Sequence, residues 1–150
     1  MNGDIAHPYV LGKKGILDSY VSCTSLVDMA EPTYLHVILK TVNDLCEEQV
    51  KVLKPNDVST HKYSILLILT DGSVDYLREK ETEEQIVRSS HLPLSIIILG
   101  IGRDKDDFRF MRKLDADEEP LYSKKFIDNY AKKCINDKTP GLYGTLDHNN

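Results

Sequence analysis

Ten residues, Tyr63-Ser-Ile-Leu-Leu-Ile-Leu-Thr-Asp-Gly72, constrain this chain more than any others. An unbroken apolar run rich in Ile and Leu ends in a hydroxyl, a carboxylate and a glycine. Such a run predicts a strand buried on both faces of a parallel sheet. Thr70 and Asp71 then stand at its C-terminal end, beside the crevice where open α/β sheets bind ligands. Gly72 lets the backbone turn there without a Cβ penalty. The stretch is a core strand and a candidate site at once.

The segments around it alternate in kind. Gly15 to Val21 predicts a short helix or turn, and Ser25–Met29 a brief extended segment. Pro32 favours extended geometry at Glu31, and Thr33 is placed to cap a following helix. Leu35, Ile38, Leu39, Val42, Leu45 and Cys46 then recur at helical spacing as one apolar stripe. Lys54-Pro-Asn-Asp57 is a turn cluster. A short helix over Glu83 to Ser90, with Ile86 and Val87 inward, is stopped by Pro93. Leu94 to Ile101 is a second apolar strand, and Asp106 to Leu114 a second amphipathic segment with Phe108, Met111 and Leu114 on one side. Strand, helix, strand, helix is the pattern of a Rossmann-like α/β fold with a parallel sheet. Farther on, Phe126, Ile127, Tyr130, Ala131 and Cys134 form an atypical helix face, and Thr139 to Asn150 reads as a loose tail.

With 150 residues the chain suits one domain able to bury a core. Its formal net charge of -5 disfavours nucleic acid as the main partner, because phosphate binding needs a concentrated basic face. Lys124, Lys125, Lys132 and Lys133 read as a solvated helix face. Cys23, Cys46 and Cys134 have no Cys-x-x-Cys spacing, which suggests neither a disulfide framework nor a zinc ribbon and fits a reducing compartment. The N-terminus lacks the pattern of a signal peptide. Both apolar runs are shorter than the about 20 residues a membrane span needs. A cytoplasmic location is the expectation.

Thr70-Asp71-Gly72 is compatible with a ribose-binding acid, a phosphatase nucleophile or a metal ligand. A haloacid-type phosphatase needs a second Asp two residues on, and Ser73 stands there instead. Gly100-Ile-Gly102 resembles part of a dinucleotide fingerprint, but Lys105 occupies the place of the third glycine. Those glycines read better as the exit of a buried strand. His7, His36, His61, His91 and His148 lack ligand spacing. His36 is expected on the solvent side of its helix.

Taken in order, Gly15-Ile-Leu-Asp-Ser-Tyr-Val21, Glu31-Pro-Thr33, Tyr63–Gly72, Gln85-Ile-Val-Arg-Ser-Ser-His-Leu-Pro-Leu-Ser-Ile-Ile-Ile-Leu-Gly-Ile-Gly102, Asp107-Phe108 and Leu114-Asp-Ala-Asp117 resemble the von Willebrand factor A domain of copines. The resemblance covers about residues 12–118, leaving 119–150 as the atypical helix and tail. Plant ubiquitin ligases with a copine-type domain share much of the pattern. The resemblance implies a non-enzymatic module that recruits protein partners, in a parent that binds phospholipid in a calcium-dependent way through other domains. It also implies a metal-ion-dependent adhesion site holding Mg²⁺ or Mn²⁺ through an Asp-x-Ser-x-Ser loop, a threonine and an aspartate. By this resemblance Thr33 is the threonine ligand and Asp71 the aspartate. Hard oxygen ligands suit Mg²⁺, which keeps waters and leaves a place for a partner's carboxylate.

The chain departs from the pattern in several places. No Asp-x-Ser-x-Ser loop occurs; Asp57-Val-Ser59 runs into His61 and precedes a strand. Glu31 replaces the usual glycine before Pro-Thr, and the family's final Ile-Val-Gln-Phe-Val-like strand has no counterpart. The domain's first strands are therefore expected to be missing, and Mg²⁺ to bind weakly or not at all. The sheet edge so left open is expected to be covered by self-association or by the C-terminal helix. A ubiquitin-pathway scaffold or, less favoured by the residues, an Asp71-dependent hydrolase or phosphatase are the alternatives.

Overall fold

The computed structural model describes residues 8–54, 57–102, 108–117 and 119–124. The chain divides into two compact units, Met1–Glu31 and Pro32–Asn150. In the first, a helix α1 spans Gly12–Leu26. It is longer than the expected short helix or turn over Gly15–Val21 and absorbs the start of Ser25–Met29. Extended backbone begins only at Val27, with φ -120° and ψ 126°. Ile16, Leu17, Tyr20 and Val21 are exposed along it.

The second unit runs α2 (Leu35–Lys51), β1 (Ser64–Thr70), α3 (Glu79–Ser89), β2 (Leu94–Gly100) and α4 (Arg109–Asp115), with 3-10 turns at Val58–Thr60 and Tyr76–Arg78. β1 and β2 pair in parallel, Ser64 opposite Leu94 through Thr70 opposite Gly100. With α3 between them they make the βαβ unit that the two apolar runs predict, and the fold is α/β. The helix over Glu83 to Ser90 begins earlier than expected, where Glu79 and Glu81 sit favourably in its first turn.

The core lies on one face of this sheet. Leu35 and Leu39 of α2, Val74, and Phe110, Met111 and Leu114 of α4 are buried together. Leu66, Ile68, Ile96 and Ile98 pack on them from the strands, and Ile86 from α3. The residues between point the other way. Ile65, Leu67 and Leu69 of β1 and Ile97 and Leu99 of β2 are all exposed. Among the described residues β1 is thus covered on one face only, where two were expected. The helices described here cover a single side, while the apolar run carries no mark of which side is covered.

Three local expectations also change. Tyr34, not Thr33, is the residue before α2, and no side chain caps that end. The buried stripe of α2 is Leu35, Leu39, Asn43 and Cys46, whereas Ile38 and Leu45 are exposed. His36 is half-buried and meets Tyr34 edge to face, ring centroids 5.8 Å apart, rather than facing open solvent. Gly100 does serve as a strand exit: a Cβ there would come 2.5 Å from Cε1 of the Phe108 ring, so the close approach requires glycine. The Phe126–Cys134 face, Cys134 and the tail lie outside the described residues, as do His7, Lys105–Asp107 and His148.

Asn43 is buried because its amide is fully used. Its Nδ2 donates to the Gln85 carbonyl at 2.9 Å, and its Oδ1 accepts from the Ser89 hydroxyl at 2.7 Å. Beside it, Arg88 on α3 donates from Nε to Glu47 at 2.8 Å and from Nη2 to Asp44 at 2.7 Å, both on α2. These bonds fix the register of α2 on α3, so the apolar ridge beneath them meets the sheet in one way.

Candidate functional site

The C-terminal end of β1 passes into an anchored loop. The Gly72 N–H donates to Thr70 Oγ1 at 3.0 Å, closing a tight turn that carries Gly72 to φ 93°, a conformation glycine adopts without strain. The Thr70 carbonyl accepts from the Ile101 N–H at 2.7 Å, which ties the turn to the end of β2. Two residues on, Val74 is buried in the core. Alternation around that anchor sends Asp71 and Ser73 outward, and both are exposed.

Asp71 is held by its own backbone. Its Oδ1 accepts from the Ser73 N–H at 3.0 Å, an Asx turn that orients the carboxylate. Asp75 repeats the device, its Oδ1 accepting from the Leu77 N–H at 3.0 Å and capping the 3-10 turn that leads into α3. The Asp75 N–H donates to the Thr33 carbonyl at 3.2 Å. That bond draws the segment before α2 against the loop after β1. The two residues that the resemblance assigns to a metal site, 38 positions apart in the chain, therefore lie on adjoining segments at one edge of the sheet. Thr33 is exposed, as Asp71 is.

Asp57 and Ser59, the nearest approach to the absent ligand loop, sit elsewhere. The Asp57 Oδ1 is engaged by the Ser59 N–H at 3.1 Å and its hydroxyl at 2.6 Å, capping the turn Val58–Thr60 before β1. Sequence reasoning passed over Asp75, whose backbone joins the two segments. Its signal was the repeat Asp71-Gly-Ser and Asp75-Tyr-Leu, two Asx turns in succession.

As a donor set for a divalent cation, the edge offers the Asp71 carboxylate and the Thr33 hydroxyl, both hard oxygens of the kind Mg²⁺ takes. One Asp71 oxygen is already committed to Ser73. Among the described residues no group of three or more His, Cys, Asp or Glu is placed to hold a metal ion. Two such oxygens are fewer than a divalent cation's shell takes. Among the described residues, too, no helix is long and apolar enough to cross a membrane.

Comparison with known proteins places these features in a family. A family model described as Copine matches residues 1–130. "Protein BONZAI 1" of Arabidopsis thaliana is 35% identical over 118 residues, 79% of this chain and 19% of that protein. "Copine-E" of Dictyostelium discoideum is 38% identical over 114 residues, 75% of this chain and 18% of that protein. The chain thus spans less than a fifth of the length of these curated relatives.

Proposed function

The chain belongs to the copine family, and on that footing we propose that it is a non-enzymatic protein-interaction module with a partial metal-ion-dependent adhesion site. Its α/β fold is consistent with the von Willebrand factor A-like architecture. The observation that carries the reading is the bond between Asp75 and Thr33, which sets the Thr33 and Asp71 segments side by side at the C-terminal edge of the strands. That is where open α/β sheets place their ligand sites.

In this reading Thr33 and Asp71 each supply one oxygen to Mg²⁺ or Mn²⁺, and the cation presents its remaining positions to a carboxylate on a protein partner. The Asx turn at Asp71 orients the carboxylate before any cation arrives. The buried Val74 keeps the loop from retreating. Two oxygens are too few for tight binding by this chain alone, because Mg²⁺ held by one or two protein groups relies on waters and partner oxygens for the rest. Calcium-dependent phospholipid binding belongs to other domains of the parent, and the location is cytoplasmic, peripheral to membranes through those domains. An Asp71-based phosphatase finds no support in Ser73, which occupies the place of the second aspartate.

Titration calorimetry of the chain with Mg²⁺ and Mn²⁺ tests the site. Affinity weaker than millimolar is expected, with Asp71→Ala removing what there is. Micromolar binding by this chain, lost in Asp71→Ala, would mean that the chain completes the site by itself. Turnover of a generic phosphate ester that vanishes in Asp71→Asn would overturn the non-enzymatic reading.

A further inference from the structure

The two residues assigned to a cation are held in place by different means. Asp71 is fixed from within its own loop: the Thr70–Gly72 turn, the Ser73 N–H on Asp71 Oδ1 and the buried Val74 all lie beside it in the chain. Thr33 stands in the segment that enters α2, before Leu35, the first buried side chain of that helix. No side chain caps that end. What reaches Thr33 from another part of the chain is the Asp75 N–H, 3.2 Å from its carbonyl. We propose that Asp75 is a positioning residue for the site: its carboxylate, acting through its own backbone and not as a ligand, keeps Thr33 beside the Asp71 loop. This role rests on the reading of Thr33 and Asp71 as oxygens for a cation.

Asp75 is bound at three points. Its N–H donates to the Thr33 carbonyl, its own carbonyl accepts from the Arg78 N–H at 3.0 Å, and its Oδ1 accepts from the Leu77 N–H at 3.0 Å. The last two bonds close the 3-10 turn Tyr76–Arg78, which runs directly into α3 at Glu79. Asp75 itself keeps extended backbone, φ -73° and ψ 100°. A capping side chain holds such a residue outside the helical region while satisfying an amide that the turn leaves free. On its other side Val74 is buried in the core. The Asp75 peptide is thus set between a core anchor and a capped turn, which aims its N–H at the segment before α2. At 3.2 Å the bond to Thr33 is at the long end of the usual N–H···O range, so a small rotation of that peptide breaks it. Removing the carboxylate frees the rotation. Thr33 is then released, while Asp71, whose own bonds precede Asp75, stays in place.

The chemistry of the cap orders the substitutions. Asparagine has a carbonyl oxygen that accepts from the residue-77 N–H as the carboxylate does, and it lacks the charge. Alanine has neither. A ligand and a positioning residue separate on this point. A carboxylate that held the cation by its charge is lost in both variants, whereas one that caps the turn is replaced by asparagine.

Nuclear magnetic resonance on the isotope-labelled whole chain is the test, with two readouts. Amide hydrogen exchange reads the bond without any metal. Asp75→Ala is expected to lower the protection of the residue-75 amide about fivefold, the factor a lost capping side chain carries. The Ser73 amide, bound to Asp71, should not change, and Asp75→Asn should keep both amides near the parent. Mn²⁺, added in steps, then broadens the signals of amides close to it. In the parent and in Asp75→Asn the signals of Thr33 and Asp71 are expected to broaden together. In Asp75→Ala the Asp71 signal still broadens and the Thr33 signal does not. Asp75→Gly, better tolerated than alanine at a cap, is the reserve if Asp75→Ala fails to fold. Equal protection of residue 75 in Asp75→Ala and the parent overturns the proposal. An Asp75→Asn variant that behaves as Asp75→Ala does so too, because the charge would then be a ligand. A loss at Ser73 equal to that at residue 75 overturns it as a general loosening of the loop, and so does a parent in which Mn²⁺ broadens Asp71 without Thr33. If neither signal broadens in the parent, the cation reading fails, and the exchange result alone decides whether Asp75 holds Thr33.

Discussion

The two faces of the β1–β2 sheet are built from the same amino acids and live in different environments. Inward, Leu66, Ile68, Ile96 and Ile98 lie against α2, α3 and α4. Outward, Ile65, Leu67, Leu69, Ile97 and Leu99 face solvent. A strand meant for one-sided burial alternates apolar with polar, and β1 does not. The outer row is therefore specified for burial as strongly as the inner one, and what separates the faces is only what the described residues place against them. The hydrophobic contribution to folding of this unit should consequently be concentrated on one side.

The largest test of that contrast is on the covered side. Leu39 has no exposed surface and lies in the cluster between α2 and the strands. Leu39→Ala should cost about 2–5 kcal/mol, the range for a buried leucine whose cavity cannot fully collapse. Urea unfolding followed by circular dichroism measures it. A cost below about 1 kcal/mol would mean that the covered face is no better packed than the bare one, outside the range for buried leucine truncations.

A smaller effect comes from the polar clamp that holds α2 over the covered face. The hydrogen bond from Lys40 and then that from Arg88 hold the Asp44 carboxyl below its ordinary value of 3.8. The Arg88 hydrogen bond, partly offset by burial, does the same for Glu47 against 4.5. Both carboxyls are thus depressed in the folded state. Their stabilisation is fully present above the unfolded values and is lost as pH falls below them, through the folded values. Asp44 and Glu47 are more than a third exposed, so screening limits the pair to under about 1 kcal/mol. Comparing urea midpoints at neutral and strongly acid pH, the parent should lose more than Arg88→Gln does. An equal loss in both proteins would separate the clamp from acid stability.

Much of this architecture was legible in the sequence because apolar runs announce strands directly. Tyr63–Gly72 and Leu94–Ile101 became β1 and β2, in parallel and with a helix between. The rotation of α2 was not legible. Helical spacing alone favours Ile38 and Leu45 over Asn43, since periodicity scores asparagine as polar. It cannot register that Gln85 and Ser89, more than forty positions away, satisfy that amide. The candidate site was half legible. Asp71 follows from a strand that ends in an acid, and Thr33 from the residues resembling copines. The bond that joins their segments runs through the Asp75 backbone; the repeated Asx pattern marks Asp75 as a turn residue but not the main-chain partner it takes.

The smallest expected effect closes the comparison on the bare side. Leu67 is 56% exposed, and its inward neighbours Leu66 and Ile68 carry the packing. In Leu67→Thr, measured at sub-micromolar protein so that association does not contribute, the solvent-facing surface stays solvent-facing and the threonine retains strand propensity. Folding free energy should move by no more than about 0.5 kcal/mol, as for other surface substitutions. Leu67 differs from Leu39 in position and not in kind, so the pair isolates burial from residue type. If Leu67→Thr cost as much as Leu39→Ala, the outer row would already be packed in the isolated chain. The two faces would then differ in what covers them rather than in whether they are covered.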